Sequence, residues 1–213
     1  MGVFLSRTSK LDGIYSWSLQ AGETCPGKLN LATKAIAEVC KGCYALQGNY
    51  RFSNVKQPRA FNREDWKRLE WADEMVKALE PMRYLRWFDS GDIYTLGLAN
   101  KILDVCRRTP WVKHWIPTRS HKFAKFSAVF SELAALDNVA LRFSSDDIGK
   151  FEPGLHGSVV ITEPMDGVNT CHAYEPQNAG KCNGCRACWD KSVSVIGYVA
   201  HGKTMLKNIR EAA

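Results

Sequence analysis

The chain has 213 residues, of which 45% are hydrophobic and 11% aromatic, and carries a formal net charge of +7. That is too apolar and aromatic for a disordered chain, and long enough to bury a full core as one domain over residues 1–213. No run approaches the ~20 apolar residues of a membrane span, and the positive balance permits contact with nucleic acid or another anion without establishing it.

The start, Met1-Gly2-Val3-Phe4-Leu5-Ser6, fits the loose N-myristoylation pattern, a short match read here as coincidence, and shows no secretory signal. Tyr15-Ser-Trp-Ser-Leu reads as the first strand. Between Tyr50 and Arg63, the cations Arg51, Lys56, Arg59 and Arg63 interleave with Tyr50, Phe52 and Phe61. Such a mixture suits phosphates and stacked bases, but a solvated connecting loop anchored by its aromatics is the simpler reading. Asn62 is placed to cap a helix running to about Pro81, with Trp66, Leu69, Val76 and Leu79 at helical spacing. Tyr84-Leu-Arg-Trp-Phe reads as a short strand that breaks at Asp89-Ser90-Gly91-Asp92, and a second helix spans about Leu96 to Arg108. Cys106 falls in this helix beside Leu98, Ile102 and Val105, as a packed core thiol.

The alternation then repeats. A strand at Val112–Ile116 precedes a helix at Phe123–Leu136, with Phe126, Val129, Phe130 and Leu133 inward. Further strands fall at Val139–Phe143, Ser158–Thr162 and Val193–Val199. Strands alternating with helices argue for parallel neighbours, which need long crossovers. Six strands are too few for a complete eight-stranded barrel of ~250 residues, so the expected fold is α/β, an open partial (β/α) barrel of about six mostly parallel strands. In such folds the working groups gather at the carboxyl ends of the strands. Those ends carry Cys25, Asp89–Asp92, Thr118-Arg119-Ser120, Ser144–Asp147 and Glu163.

Seven of the eight cysteines form two groups: Cys25, Cys40 and Cys43 near the start, and Cys171, Cys182, Cys185 and Cys188 in a cysteine-rich segment at about 171–190. The run Cys182-Asn-Gly-Cys185-Arg-Ala-Cys188 has the tight repeat that lets successive thiolates wrap one iron-sulfur cluster. Structural zinc remains the alternative, because tetrahedral thiolate sites also use C-x2-C pairs. Four disulfides are disfavoured, since cysteines are sparse and an oxidising compartment is not indicated. His172, next to Cys171, and His201, after the last strand, are secondary candidates for ligation or proton donation, while His114 alternates within a strand as structure. The sequence carries no phosphate loop, nucleophile elbow or zinc-protease motif.

The order of parts resembles a radical S-adenosylmethionine (SAM) enzyme core. In that family a first strand leads into a three-cysteine loop whose [4Fe-4S] cluster keeps one iron open for SAM. Cys40-Lys-Gly-Cys43-Tyr44 resembles the end of that loop and Cys25 its first ligand, although the gap of fourteen residues departs from the common spacing. The resemblance implies that Asp89, Ser90, Gly91 and Asp92 replace the turn receiving the SAM amino group, and that Thr118, Arg119 and Ser144 line the nucleoside. Under this reading one or two [4Fe-4S] clusters are bound. Asp89 and Asp92 position a cationic group, and Arg119 or Arg142 an anionic one.

A whole-chain similarity is to a phage-encoded protein family of unassigned function, known by a gene-product number. It is carried by Thr24-Cys25-Pro-Gly, Cys40-x2-Cys43-Tyr44-Ala45, Phe88-Asp-Ser-Gly-Asp92 and Cys185-Arg-Ala-Cys188-Trp189-Asp190. It implies a protein acting in a bacterial cytoplasm, and supplies no reaction. Two functions follow as expectations. One is an iron-sulfur enzyme acting as a monomer on a small-molecule or macromolecular substrate, with SAM or, in a variant, with the open iron alone in redox or sulfur transfer. The other is a nucleic-acid- or partner-binding module stapled by zinc or iron-sulfur sites.

Overall fold

A computed structural model describes residues 2–151 and 156–212. Its strands are β1 (Ser6–Arg7), β2 (Tyr15–Trp17), β3 (Tyr84–Trp87), β4 (Lys113–Thr118), β5 (Val139–Ile148), β6 (Gly157–Ile161), β7 (Asn169–Thr170) and β8 (Val195–Val199). Its α-helices are α1 (Glu38–Lys41), α2 (Ser53–Asp65), α3 (Trp71–Leu79), α4 (Leu96–Arg108), α5 (Ser127–Ala135) and α6 (Lys203–Ala212). All eight strands form one sheet in the order β1-β2-β3-β4-β5-β6-β8-β7. Only β1 pairs antiparallel; every other neighbouring pair is parallel.

Alternation along the strands sorts residues onto two faces. Leu85 and Trp87 of β3, Ile116 of β4, and Val139 and Leu141 of β5 join one core with Met75 and Leu79 of α3, Ile102 and Val105 of α4, and Val129 and Phe130 of α5. Cys106 is fully buried in this core, as its position among apolar residues suggested. His114 also sits in it: Nδ1 accepts from Trp87 Nε1 at 3.1 Å, and Nε2 lies 2.9 Å from Thr109 Oγ1. On the other face, Trp115 packs with Leu11, Trp189 and Tyr198. The N-terminal turn and the β7–β8 connection cover this face.

The six expected strands are all present, and the two-residue edge strands β1 and β7 add to them. Other expectations need correction. The stretch read as a loop at 50–63 is mostly the helix α2, and Asn62 lies inside it rather than capping a later helix. Its amide donates to Phe4 O at 3.2 Å and Ser18 O at 3.0 Å, tying α2 to the start of the sheet. The helix expected to run on to Pro81 is broken after Asp65 and restarts at Trp71, leaving Leu69 at the break 87% exposed instead of inward. Ser144–Asp147 are not a loop beyond a strand but part of β5, which continues to Ile148 with a register shift against β6.

Candidate functional site

The first cysteine group lies in the segment between β2 and α2, where little regular structure holds the chain. Side chains from distant elements hold it instead. Lys122, just past β4, donates to Gly27 O at 2.9 Å and Leu29 O at 2.8 Å, and pairs with Asp146 at 2.8 Å. Glu38 Oε2 accepts from Ile148 N at 2.8 Å. Gly42 packs so closely on α6 that a Cβ there would sit 2.8 Å from Met205 Cα. These ties bring Cys25, Cys40 and Cys43 within electrostatic reach of one another. Burial pushes the Cys25 thiol up to about 12, and raises Cys43 as well.

Arg119 faces this group. Its Nη1 lies 3.3 Å from Cys40 Sγ, its Nε donates to Ser145 O at 2.9 Å, and its backbone N–H donates to Asp92 Oδ2 at 2.9 Å. Asp92 is buried and also accepts from Thr118 Oγ1 at 2.7 Å and Ile93 N at 2.7 Å. Burial raises the Asp92 carboxyl, with these hydrogen bonds opposing the rise. Asp92 therefore positions Thr118 and Arg119. The other members of the turn are engaged in the same way: Asp89 accepts from Arg59 at 2.9 Å and Tyr50 at 2.8 Å, while Ser90 Oγ accepts from Arg59 Nε at 2.5 Å and donates to Leu19 O at 2.7 Å. Gly91 has φ +77°, and a Cβ there would meet Leu19 Cβ at 2.6 Å and Thr24 Oγ1 at 2.7 Å. The Asp-Ser-Gly-Asp turn is thus locked beside Cys25, with both carboxylates bonded internally. Ser144 Oγ is 3.0 Å from Ser158 Oγ, a cross-strand pair.

The second group occupies the connection between β7 and β8. Cys171 N donates to Gly197 O at 2.7 Å and Cys182 N to Lys10 O at 2.8 Å. The Asp12 carboxylate accepts from Asn183 N at 3.2 Å, Gly184 N at 2.9 Å and Arg186 at 2.8 Å, fixing the tight Cys182–Cys188 turn. Arg142 donates to the carbonyls of Cys188, Val193, Ser194, Ala187 and Asp190, so it anchors this connection rather than binding an external anion. Cys171, Cys182 and Cys188 interact electrostatically with one another and with Lys10, whose own pKa is lowered by burial. Cys188 Sγ lies 3.3 Å from Tyr198 OH, and Cys185 is exposed. Burial raises Cys182 to about 11. This group packs on the sheet face and not on the strand-end rim that carries the first group.

All eight cysteines are free thiols in this structure. Among the described residues, no three His, Cys, Asp or Glu side chains close on one point as the ligands of a single metal ion would. His172 pairs with Glu175. His201 Nδ1 lies 2.9 Å from Val199 O, and its ring stacks at 6.1 Å on Tyr44, the neighbour of Cys43. In the basic stretch, Arg59 is buried against the Asp89 turn and Arg63 pairs with Glu23 at 2.5 Å, leaving Arg51 and Lys56 at the surface with Phe52. Sequence reasoning missed Lys10, Asp12, Arg86 and Lys122. Arg86 carried a usable signal, a charge at the alternate position of an apolar strand between Leu85 and Trp87.

Fold and site together define a mixed α/β protein with two cysteine groups gathered on one mostly parallel sheet. The model of the Gene product 88 family matches residues 5–191, and the chain belongs to that family, as the resemblance to a phage gene-product family implied. No curated protein and no solved structure matches the chain. No helix among the described residues is long and apolar enough to cross a membrane.

Proposed function

We propose that this is an iron-sulfur enzyme, with Cys25, Cys40 and Cys43 holding a [4Fe-4S] cluster that keeps one iron open, and Cys171, Cys182, Cys185 and Cys188 saturating a second. The observation that carries the proposal is that two separate sets of free thiols, Cys25 with Cys40 and Cys43 and Cys171 with Cys182 and Cys188, each have their members within electrostatic reach of one another, with the exposed Cys185 in the same turn as the second. All-thiolate sets of three and four are donors that iron-sulfur clusters take. Burial raises Cys25, Cys43, Cys182 and Cys188, and the charge of bound iron is what would make thiolates favourable there.

The fold supports the same reading. From β2 to β6 the strands are parallel and added in one direction, with α3, α4 and α5 packed on one face, an order compatible with an open partial barrel. Bound at the open iron, SAM supplies radical chemistry. The chain's own residues prepare the site: Arg119 places a cation against Cys40, Asp92 fixes Arg119 and Thr118, Lys122 closes the first cysteine loop, and Tyr44 with His201 covers its edge.

One observation favours a second reading, in which the open iron works without SAM in redox or sulfur transfer. Asp89 and Asp92, the carboxylates assigned to the SAM amino group, are both occupied by internal donors. Anaerobically reconstituted, reduced protein decides between the two. SAM binding by equilibrium dialysis, with release of methionine and 5′-deoxyadenosine that Cys40→Ser abolishes, supports the radical enzyme. Absence of both at full iron loading removes SAM and leaves the second reading.

A further inference from the structure

Two arginines occupy the sheet face opposite α3, α4 and α5, and their surroundings differ. Arg142 is 1% exposed and has carbonyl acceptors for Nε, Nη1 and Nη2. The Arg86 side chain is 12% exposed; its Nη1 lies 3.4 Å from Asp89 Oδ1 and its guanidinium also engages the Tyr44 phenol. Its buried Nε has no acceptor among the described residues. Asp89 is already shared with Arg59 at 2.9 Å and Tyr50 at 2.8 Å. A guanidinium carries five N–H donors, and a buried one is ordinarily matched with acceptors as Arg142 is.

Trp115 repeats the deficit next door. It is the register partner of Arg86 on β4, its ring centroid lies 4.5 Å from Arg86 Cζ, and its buried Nε1 also lacks an acceptor among the described residues. The indoles of Trp17 and Trp71 are unmatched too, but they sit edge-on to one another at 5.4 Å inside the apolar core. Around Arg86 the surroundings are polar and charged: Asp89 and Lys10 are near enough to feel its charge, the Tyr44 phenol lies beside it, and Tyr198 follows on the Cys188 side. Two neighbours of Arg86, its β2 register partner Ser16 and its ion-pair partner Asp89, line a cavity of about 430 Å³ together with Tyr50 and Arg59. That volume accommodates a metabolite-sized ligand.

We propose that Arg86 and Trp115 are the donors of an anion site that takes a carboxylate or phosphate group of the ligand, between the two cysteine groups. A planar, permanently charged donor fork matches either oxyanion, and the indole N–H adds a second direction. That the bound anion belongs to the substrate rests on the iron-sulfur reading; that the site binds an anion does not.

The test is titration calorimetry of the anaerobically purified full chain with inorganic phosphate and, separately, with malonate. Saturable binding of one of them names the group the site prefers. Arg86→Gln should weaken it by at least about tenfold, the loss of a charge-assisted pair, and Trp115→Phe by a smaller factor. Arg107→Gln, on the exposed end of α4, should bind as the native chain does. Iron and sulfide measured on the same samples keep the two ideas apart: Arg86-dependent binding by an iron-free chain upholds the anion site while the cluster reading fails. Absence of saturable binding of both probes to the native chain overturns the proposal, independently of how any variant folds. So does an Arg86→Gln chain that is folded by circular dichroism and binds with native affinity.

Discussion

Arg142→Met should release the second cysteine group from the sheet. The guanidinium of this buried residue donates to five carbonyls: Cys188 O at 2.9 Å, Val193 O at 2.9 Å, Ser194 O at 3.3 Å, Ala187 O at 3.0 Å and Asp190 O at 2.7 Å. Methionine restores much of the apolar volume but none of the donors, so at about 1 kcal/mol net per bond the loss is about 5 kcal/mol. That is a third or more of the roughly 5–15 kcal/mol that holds a domain of ordinary stability. Arg142→Lys should recover little of it, because one ammonium cannot serve five diverging acceptors. Urea unfolding followed by circular dichroism measures the cost, and amide exchange across 187–194 shows where it falls. Cys188, half enclosed against Tyr198, should also become faster to react with a thiol reagent. A midpoint shift worth less than about 1 kcal/mol, with unchanged protection at 187–194, would refute the assignment of Arg142 as the anchor.

Three further outcomes follow from the geometry. Gly91→Ala places a side chain at φ +77°, 2.6 Å from Leu19 Cβ, and should cost about 2–4 kcal/mol in thermal or urea unfolding while lowering iron bound per chain. His114 is held as the neutral Nε2–H tautomer, because Thr109 Oγ1 spends its proton on Val105 O at 2.7 Å and Trp87 donates to Nδ1. Burial holds its pKa down to about 3, so the unfolded chain gains a proton below about pH 6.5 that the folded chain refuses; stability is full above that pH and falls by roughly 2 kcal/mol at pH 5, a slope that His114→Gln should remove from urea midpoints measured across pH. Arg119→Gln withdraws the cation 3.3 Å from Cys40 Sγ and should speed iron loss in air several-fold, with an unfolding midpoint within about 1 kcal/mol of native.

The parts of the fold visible in the sequence were those whose buried face is apolar. Leu98, Ile102 and Val105 gave α4 its limits, and the alternation of Leu85 with Trp87 gave β3. The helix α2 was hidden because its buried residues are Arg59, Asn62 and Asp65, so no 3.6-residue apolar rhythm marks it, and Pro58 lies inside it. The far half of β5 was hidden for a related reason, since Ser144 to Asp147 are polar and pair irregularly with β6. In the site, the cysteines were legible from their spacing, which is local. Lys10, Arg86 and Lys122 were not, because they meet the cysteine groups only through the sheet, and nothing in sequence spacing encodes a contact such as Lys122 with Gly27, 95 positions away.

Iron, acid-labile sulfide and zinc per chain after anaerobic purification, in the native protein and in Cys40→Ser and Cys188→Ser, test the central claim most directly. Two clusters give about eight irons and eight sulfides per native chain, and each variant should lose about half of both. Zinc without sulfide, or variants that keep the native iron content, would contradict the assignment of the two thiol groups as cluster sites.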